Sequence, residues 1–154
     1  MVLEWAGIIL LVVIWIYTGI SYTKLPESIP VHFGIAGEAD RYGGKATVWL
    51  LPVIATILFA GISWLNKYPH VFNYAATVTE ENAPRLYLLS TRLLRIIKLV
   101  IVTASGFINF EVINSAPSKH AVLGWWFIPA LFIALLGPTI YFLIQSMKKP
   151  NKIN

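Results

Sequence analysis

Residues 5–23 read WAGIILLVVIWIYTGISYT and contain no charged side chain. A helix needs about 20 such residues to cross the hydrocarbon layer of a bilayer. Three further stretches have at most one charge each: 46–66, 99–118 with Glu111, and 121–147. None of the four alternates apolar with polar residues, which argues against a membrane β-barrel. The sequence therefore predicts four transmembrane helices.

The composition of the 154-residue chain agrees with this prediction. Hydrophobic residues make up 57% and charged residues 12%, whereas about a quarter of a soluble domain is charged. A disordered chain, a coiled coil and an ordinary soluble enzyme are therefore excluded. Cysteine is absent, which excludes disulfides and thiolate chemistry. We also expect no nucleic-acid partner, because the net charge of +5 is explained by basic residues placed beside the spans.

We predict a single domain, residues 1–154, with an all-α fold: an integral membrane four-helix bundle. Its two long connections are an ordered, Pro/Gly-rich extracytoplasmic loop and an inner segment with an amphipathic helix. The predicted spans are about 5–23, 46–66, 93–115 and 121–147, with the outer loop at 24–45 and the inner connection at 67–92.

The distribution of basic residues predicts the orientation. Of the 12 Lys and Arg residues, eight fall on the side of both termini and the inner connection, and four fall on the other side. Lys and Arg accumulate on the cytoplasmic side of membrane proteins. Both termini are thus predicted to be cytoplasmic, and the outer loop is predicted to face away from the cytoplasm.

The inner connection contains a basic amphipathic segment. Thr79 is predicted to cap a helix, with Glu80 and Glu81 in its positively polarised first turn. Leucine and isoleucine then alternate with Arg85, Arg92, Arg95 and Lys98. We predict a helix that lies at the inner leaflet or continues into the third span. Its basic side chains would contact anionic lipid headgroups, or the helix would dock a partner protein.

Both connections carry motifs that resemble a known family. The outer loop reads L-P-x-x-I-P-x-H-F, then G-x-x-D, then an aromatic residue, Gly and Lys, and its segment 29–33 is strand-like. This order resembles the uncharacterised membrane domain at the N-terminus of SdpI-type proteins. The candidate functional residues of the outer loop are Pro30, His32, Phe33, Gly37, Asp40, Tyr42, Gly43 and Lys45; those of the inner connection are Asn73, Tyr74, Glu80, Glu81, Asn82 and Tyr87.

The resemblance implies a non-enzymatic protein of the bacterial cytoplasmic membrane. SdpI-type members confer immunity against a secreted peptide toxin and signal by sequestering a transcriptional repressor, and they carry helices beyond this domain. By this resemblance the outer loop recognises a ligand, a peptide toxin or a membrane-protein partner, and the chain could form homo-oligomers. No cofactor is implied.

Two other functions are compatible with the sequence. His32, Asp40, Glu111 and His120 fall on one side of the membrane and could form a metal site or an acid–base pair of a membrane enzyme. Their spacing matches no established ligand motif, and bonding within a Gly-rich turn explains His32 and Asp40 more simply. A transporter accessory subunit is the other alternative, although the spans contain few polar residues beyond Ser, Thr and Asn.

Overall fold

A computed structural model of the chain describes residues 2–117 and 123–148. Within these residues, four helical segments are long and apolar enough to cross a membrane. This number equals that of the predicted spans and indicates a multi-pass membrane protein. The helices are α1 (Val2–Tyr22), α2 (Leu50–Leu65), α3 (Ala83–Ser115) and α4 (Phe127–Met147), and a 3-10 helix, Lys45–Trp49, leads directly into α2.

The third helix is the centre of the bundle. α3 packs on α1, on α2 and on α4, and α1 also contacts α2. Close approach occurs where glycine leaves room: a Cβ at Gly7 would lie 2.5 Å from the ring of Phe59, and one at Gly106 would lie 3.0 Å from Ile14. Small residues at helix contacts are typical of membrane bundles, where packing replaces the hydrophobic effect as the source of association.

The bundle has two unlike ends because successive helices alternate in direction. The hairpin end is formed by the chain between α1 and α2 together with the start of α4. The basic end is formed by the start of α1, the connection between α2 and α3, and the end of α4. A short 3-10 helix, Pro69–Val71, lies in that connection.

The first connection contains a small sheet, which the predicted all-α fold class does not include, although this Pro/Gly-rich segment is predicted as a non-helical loop. Strands β1 (Ser28–Phe33) and β2 (Ala39–Gly44) form an antiparallel hairpin, which includes the strand-like segment expected at 29–33. Its turn is closed by hydrogen bonds from Gly34 N to Glu38 O at 2.8 Å and from Gly37 N to Gly34 O at 2.9 Å. Proline and glycine disfavour a helix here and allow the extended strands and tight turn.

The basic segment of the inner connection belongs to α3, in agreement with the second of the two predicted arrangements. The helix begins at Ala83, so Glu80 and Glu81 lie in the preceding turn and not in its first turn as predicted. Thr79 does not cap the helix, because Asn82 occupies the capping position. Thr79 instead exchanges hydrogen bonds with Asn82: Thr79 N donates to Asn82 Oδ1 at 2.8 Å, and Asn82 N donates to Thr79 Oγ1 at 3.4 Å.

The fourth helix begins at Phe127, later than the predicted residue 121. Residues 121 and 122 lie outside the described residues. Leu123 and Gly124 are not helical. Gly124 has a φ of +78°, which a right-handed helix does not allow, so α4 cannot extend through this residue.

Candidate functional site

The hairpin is docked on the bundle through its apolar residues. Ile29 is fully buried and packs with Leu25, Val48 and residues of α3, among them Val112 and Ile113. Phe33, from the predicted motif, is partly buried against the same cluster. Burying a side chain such as Ile29 stabilises the folded state by about 2 kcal/mol. The hairpin is therefore held as a cap over α1, α3 and the 3-10 helix that leads into α2.

The tip of the hairpin is held by the residues that precede α4. Leu123 N donates a hydrogen bond to Gly37 O at 2.8 Å. Gly37 has a φ of +89°, and a Cβ there would lie 3.0 Å from the backbone of Gly124. Both the backbone conformation and the close approach require glycine, so Gly37 of the predicted motif is explained by structure.

Lys45 and Gly43 secure the base of the hairpin. Lys45 Nζ contacts Glu27 Oε1 at 2.8 Å, and its backbone N donates to Glu27 O at 3.0 Å. The same ammonium group lies 5.6 Å from the centre of the Tyr22 ring. A Cβ at Gly43 would lie 2.9 Å from the side chain of Val31. Lys45 thus joins the base of the hairpin to the end of α1, and Gly43 allows the two strands to approach each other closely.

The remaining motif residues form a polar surface. His32 Nδ1 lies 2.6 Å from Asp40 Oδ1, with side chains 56% and 49% exposed. Arg41 faces His32 across the two strands, and Tyr42 pairs with the buried Pro30 while its own side chain remains exposed. An exposed polar pair of this kind contributes little to stability. The His32–Asp40 pair is therefore accessible to molecules outside the chain.

The proposed metal or acid–base site is assembled only in part. His32 and Asp40 meet, but within residues 2–117 and 123–148 there is no group of three or more His, Asp or Glu side chains that could hold a metal ion. Glu111 is half-buried near the end of α3, where its backbone carbonyl accepts a hydrogen bond from Ser115. His120 lies outside the described residues.

A buried polar contact joins α1 to α3 near the hairpin end. Asn109 Nδ2 donates to Thr18 Oγ1 at 2.7 Å, and Thr18 Oγ1 donates to the backbone carbonyl of Ile14 at 2.8 Å. Nearby, Asn114 Nδ2 donates to the hydroxyl of Tyr17 at 2.8 Å. Such bonds between membrane helices stabilise by about 0.6 kcal/mol each. They fix the position of α1 against α3 beneath the hairpin.

The basic end contains a buried cation, Lys98, although the pattern of basic residues predicts that it contacts lipid headgroups. Lys98 is only 1% exposed. Its ammonium group donates to a carboxylate oxygen of Glu4 and, at 2.6 Å, to Ser63 Oγ, and it lies 4.3 Å from the centre of the Phe59 ring. Arg95 Nε lies 3.7 Å from the same carboxylate. Lys98 thus joins α1, α2 and α3 and is buried between them, not exposed on the surface of the bundle.

One feature of the sequence could have indicated this cluster. Glu4 is the first acidic residue of the chain and directly precedes the first apolar stretch. A carboxylate at the edge of the hydrocarbon layer needs a partner, and the helix N-terminus alone supplies only part of the compensation. Periodicity could not identify Lys98 as that partner, because the packing of α1 on α3 brings the two residues together.

The inner connection is fastened to α3 by Tyr74. The Tyr74 hydroxyl donates to Pro69 O at 2.7 Å and lies 3.0 Å from Ser90 Oγ, while the ring lies 5.8 Å from that of Tyr87. Burial raises the pKa of Tyr74, and the hydrogen bond with Ser90 partly opposes that shift. The phenol therefore stays protonated at neutral pH and keeps its role as a donor.

The other predicted residues of the inner connection have different surroundings. Asn82 Nδ2 donates to Thr77 O at 2.9 Å, which shapes the turn before α3. Glu80 and Glu81 are exposed on that turn. Asn73 is exposed and borders a cavity between the connection, α3 and α4. The predicted inner motif thus divides into structural residues, namely Tyr74, Asn82 and Tyr87, and solvent-facing ones.

These features define a small multi-pass membrane protein with a folded hairpin at one end and a buried ion pair at the other. Residues 9–56 match the model of a domain of unknown function, DUF1648. The matched region contains most of α1, the whole hairpin and the start of α2.

The chain is also similar to an uncharacterized protein of Archaeoglobus fulgidus, at 28% identity over 156 residues that cover 92% of this chain and 84% of the relative. No solved structure matches the chain. These comparisons fit a small membrane protein family without an assigned activity. Neither names an SdpI-type protein or supports a bacterial origin, so that resemblance stays an expectation.

Proposed function

We propose that the chain is a non-enzymatic membrane protein whose hairpin recognises a membrane-active peptide on the extracytoplasmic side, as the SdpI-type resemblance implies. The observation that carries this proposal is the division of the hairpin into two faces. One face is buried on the bundle through Ile29. The other presents His32 and Asp40 to solvent.

A fixed polar surface is suited to recognition because little conformational entropy is lost when a ligand binds it. Connections between spans need neither strands nor a tip held by a second segment, whereas this hairpin has both. The DUF1648 match includes the complete hairpin, which supports a role for the hairpin in a function that relatives share.

The proposal is tested with the purified chain reconstituted in dye-loaded vesicles. A panel of synthetic cationic membrane-active peptides is added, and dye release is compared with that from vesicles without protein. We expect the chain to reduce release for at least one peptide. The double variant His32→Ala/Asp40→Ala should abolish that protection, because it removes the exposed pair.

The matched control is Glu80→Ala, which removes an exposed charge at the basic end. This variant should protect vesicles as well as the unaltered chain does. Helical circular dichroism of all variants shows whether the fold is retained. Equal dye release with and without protein for every peptide would contradict the proposal, and so would full protection by the double variant.

A further inference from the structure

A cavity of about 490 Å³ lies at the basic end between the inner connection, α3 and α4. Its walls are mainly apolar and include Phe72, Leu86, Leu93 and Phe142. This volume lies within the range of about 300–1,000 Å³ that is usual for small-molecule sites. The cavity is therefore large enough for part of an amphiphilic molecule, and its lining favours hydrocarbon.

Polar groups occur at defined points of the lining. Ser90 lines the cavity, and its hydroxyl oxygen lies 3.0 Å from the hydroxyl oxygen of Tyr74. Ser146, near the end of α4, also borders the cavity. An apolar pocket with a few fixed polar groups is the usual form of a site that orients a ligand.

Two arginines flank the cavity along α3. Arg85 and Arg92 are four and three residues from Leu89, which lines the cavity, so all three share one helix face. The guanidinium group of Arg85 donates to the backbone carbonyls of Gln145 and Lys148 and is thus fixed beside Ser146. Arg92 is exposed and has no hydrogen-bond or ion-pair partner among the described residues.

We propose that this cavity binds an anionic phospholipid, with one acyl chain among the apolar side chains and the phosphate beside Arg92 and Arg85. Charge complementarity favours this occupant. Neither this cavity nor a second apolar groove between α3 and α4, of about 360 Å³, has a charged residue in its lining, but in the first cavity the lining residues Leu86 and Leu93 directly follow Arg85 and Arg92 in α3. Arginine binds phosphate through several donors at once. The proposal does not depend on the function proposed for the hairpin, which lies at the other end of the bundle.

The test uses the purified full chain in detergent and measures lipid binding by native mass spectrometry. Phosphatidylglycerol and phosphatidylcholine with identical acyl chains are titrated separately. We expect tighter binding of phosphatidylglycerol. Arg92→Gln should weaken phosphatidylglycerol binding about fivefold, since one basic residue contributes about 1 kcal/mol to attraction of an anionic lipid. Leu93→Trp should weaken binding of both lipids by filling the cavity.

Two control variants separate this site from general attraction. Arg41→Gln removes an exposed arginine of the hairpin, and Ala104→Trp fills the second groove. Neither should change the affinity for phosphatidylglycerol. Equal affinity for the two lipids would overturn the proposal, as would an equal effect of Arg41→Gln and Arg92→Gln. A dimer that disappears in Leu93→Trp while lipid binding is retained would assign the cavity to a second copy of the chain and likewise overturn it.

Discussion

Gly37 shows how a single residue can join two segments that are far apart in sequence. Its positive φ shapes the hairpin tip, and its missing side chain lets the backbone of Gly124 approach. The glycine-rich loop indicated that a tight turn was present, because glycine permits such backbone angles. The partner could not be predicted, since nothing in the local sequence indicates that residues 123 and 124 reach the tip.

Replacing Gly37 by alanine should destabilise the protein by about 1–3 kcal/mol, because the new Cβ combines an unfavourable φ with contact to the Gly124 backbone. Thermal unfolding in detergent measures this change. Gly44→Ala is the matched control: Gly44 has an extended backbone with φ of −62°, and a Cβ there meets no atom within 4 Å. Comparable loss of stability in both variants would contradict the assigned role of Gly37.

Lys98 is the residue whose surroundings differ most from the sequence-based expectation. Its position among leucine, isoleucine and arginine residues indicated an amphipathic surface helix, and Arg92 on that helix is indeed exposed. Periodicity defines a helix face but not the neighbouring helix that covers it. The partners Glu4 and Ser63 come from α1 and α2, so only the three-dimensional packing identifies the contact.

Removing the charge of Lys98 should leave the Glu4 carboxylate without its main partner. We expect Lys98→Met to cost about 2–4 kcal/mol, below the value for a fully buried pair because Glu4 is 31% exposed. Glu4→Gln/Lys98→Met should lose less stability than the sum of the single variants. Unfolding in detergent gives the four free energies, with Lys24→Met as the exposed control. Strictly additive losses would show that the two groups do not interact.

At the scale of elements, the sequence predicted β1 better than β2. Residues 29–33 include β-branched and aromatic residues, which favour a strand. β2 reads ADRYGG and has neither a β-branched residue nor an alternating pattern. Its extended conformation depends on pairing with β1 and on the docking of the hairpin. The continuity of α3 was foreseeable as one of two arrangements, because no glycine or proline occurs between Pro84 and Gly106.

The connection between α2 and α3 should depend on the hydroxyl group of Tyr74. Tyr74→Phe removes the bonds to Pro69 O and Ser90 Oγ and should weaken this contact by about 1 kcal/mol. Amide hydrogen exchange of residues 69–82 should become faster, while that of the hairpin stays unchanged. Tyr68→Phe serves as the control, because the Tyr68 hydroxyl has no hydrogen bond within the described residues. Unaltered exchange in Tyr74→Phe would contradict this role.

At the scale of the molecule, composition was sufficient for the number of helices but not for their arrangement. All four spans are apolar around most of their circumference, so no stripe indicates which face points inward. The central position of α3 follows from contacts such as Ile14 with Gly106 and Thr18 with Asn109. These contacts depend on shape and on single hydrogen bonds, and a hydropathy pattern does not record either.

The two ends of the bundle are predicted to face opposite sides of the membrane. The absence of cysteine makes the chain suitable for labelling at single introduced cysteines. Ile35→Cys lies at the hairpin tip, where Ile35 is 94% exposed. Glu81→Cys lies in the exposed turn that precedes α3 at the basic end. A membrane-impermeant maleimide applied to intact cells reports which of the two positions faces outward.

This labelling is the most direct test of a four-span protein that presents its hairpin outside the cell. The account predicts that Ile35→Cys reacts in intact cells and that Glu81→Cys reacts only after the membrane is permeabilised. Reaction of Glu81→Cys alone in intact cells would show that the orientation is opposite to the predicted one. Reaction of both positions in intact cells would place them on the same side of the membrane and would contradict the single span, α2, between them.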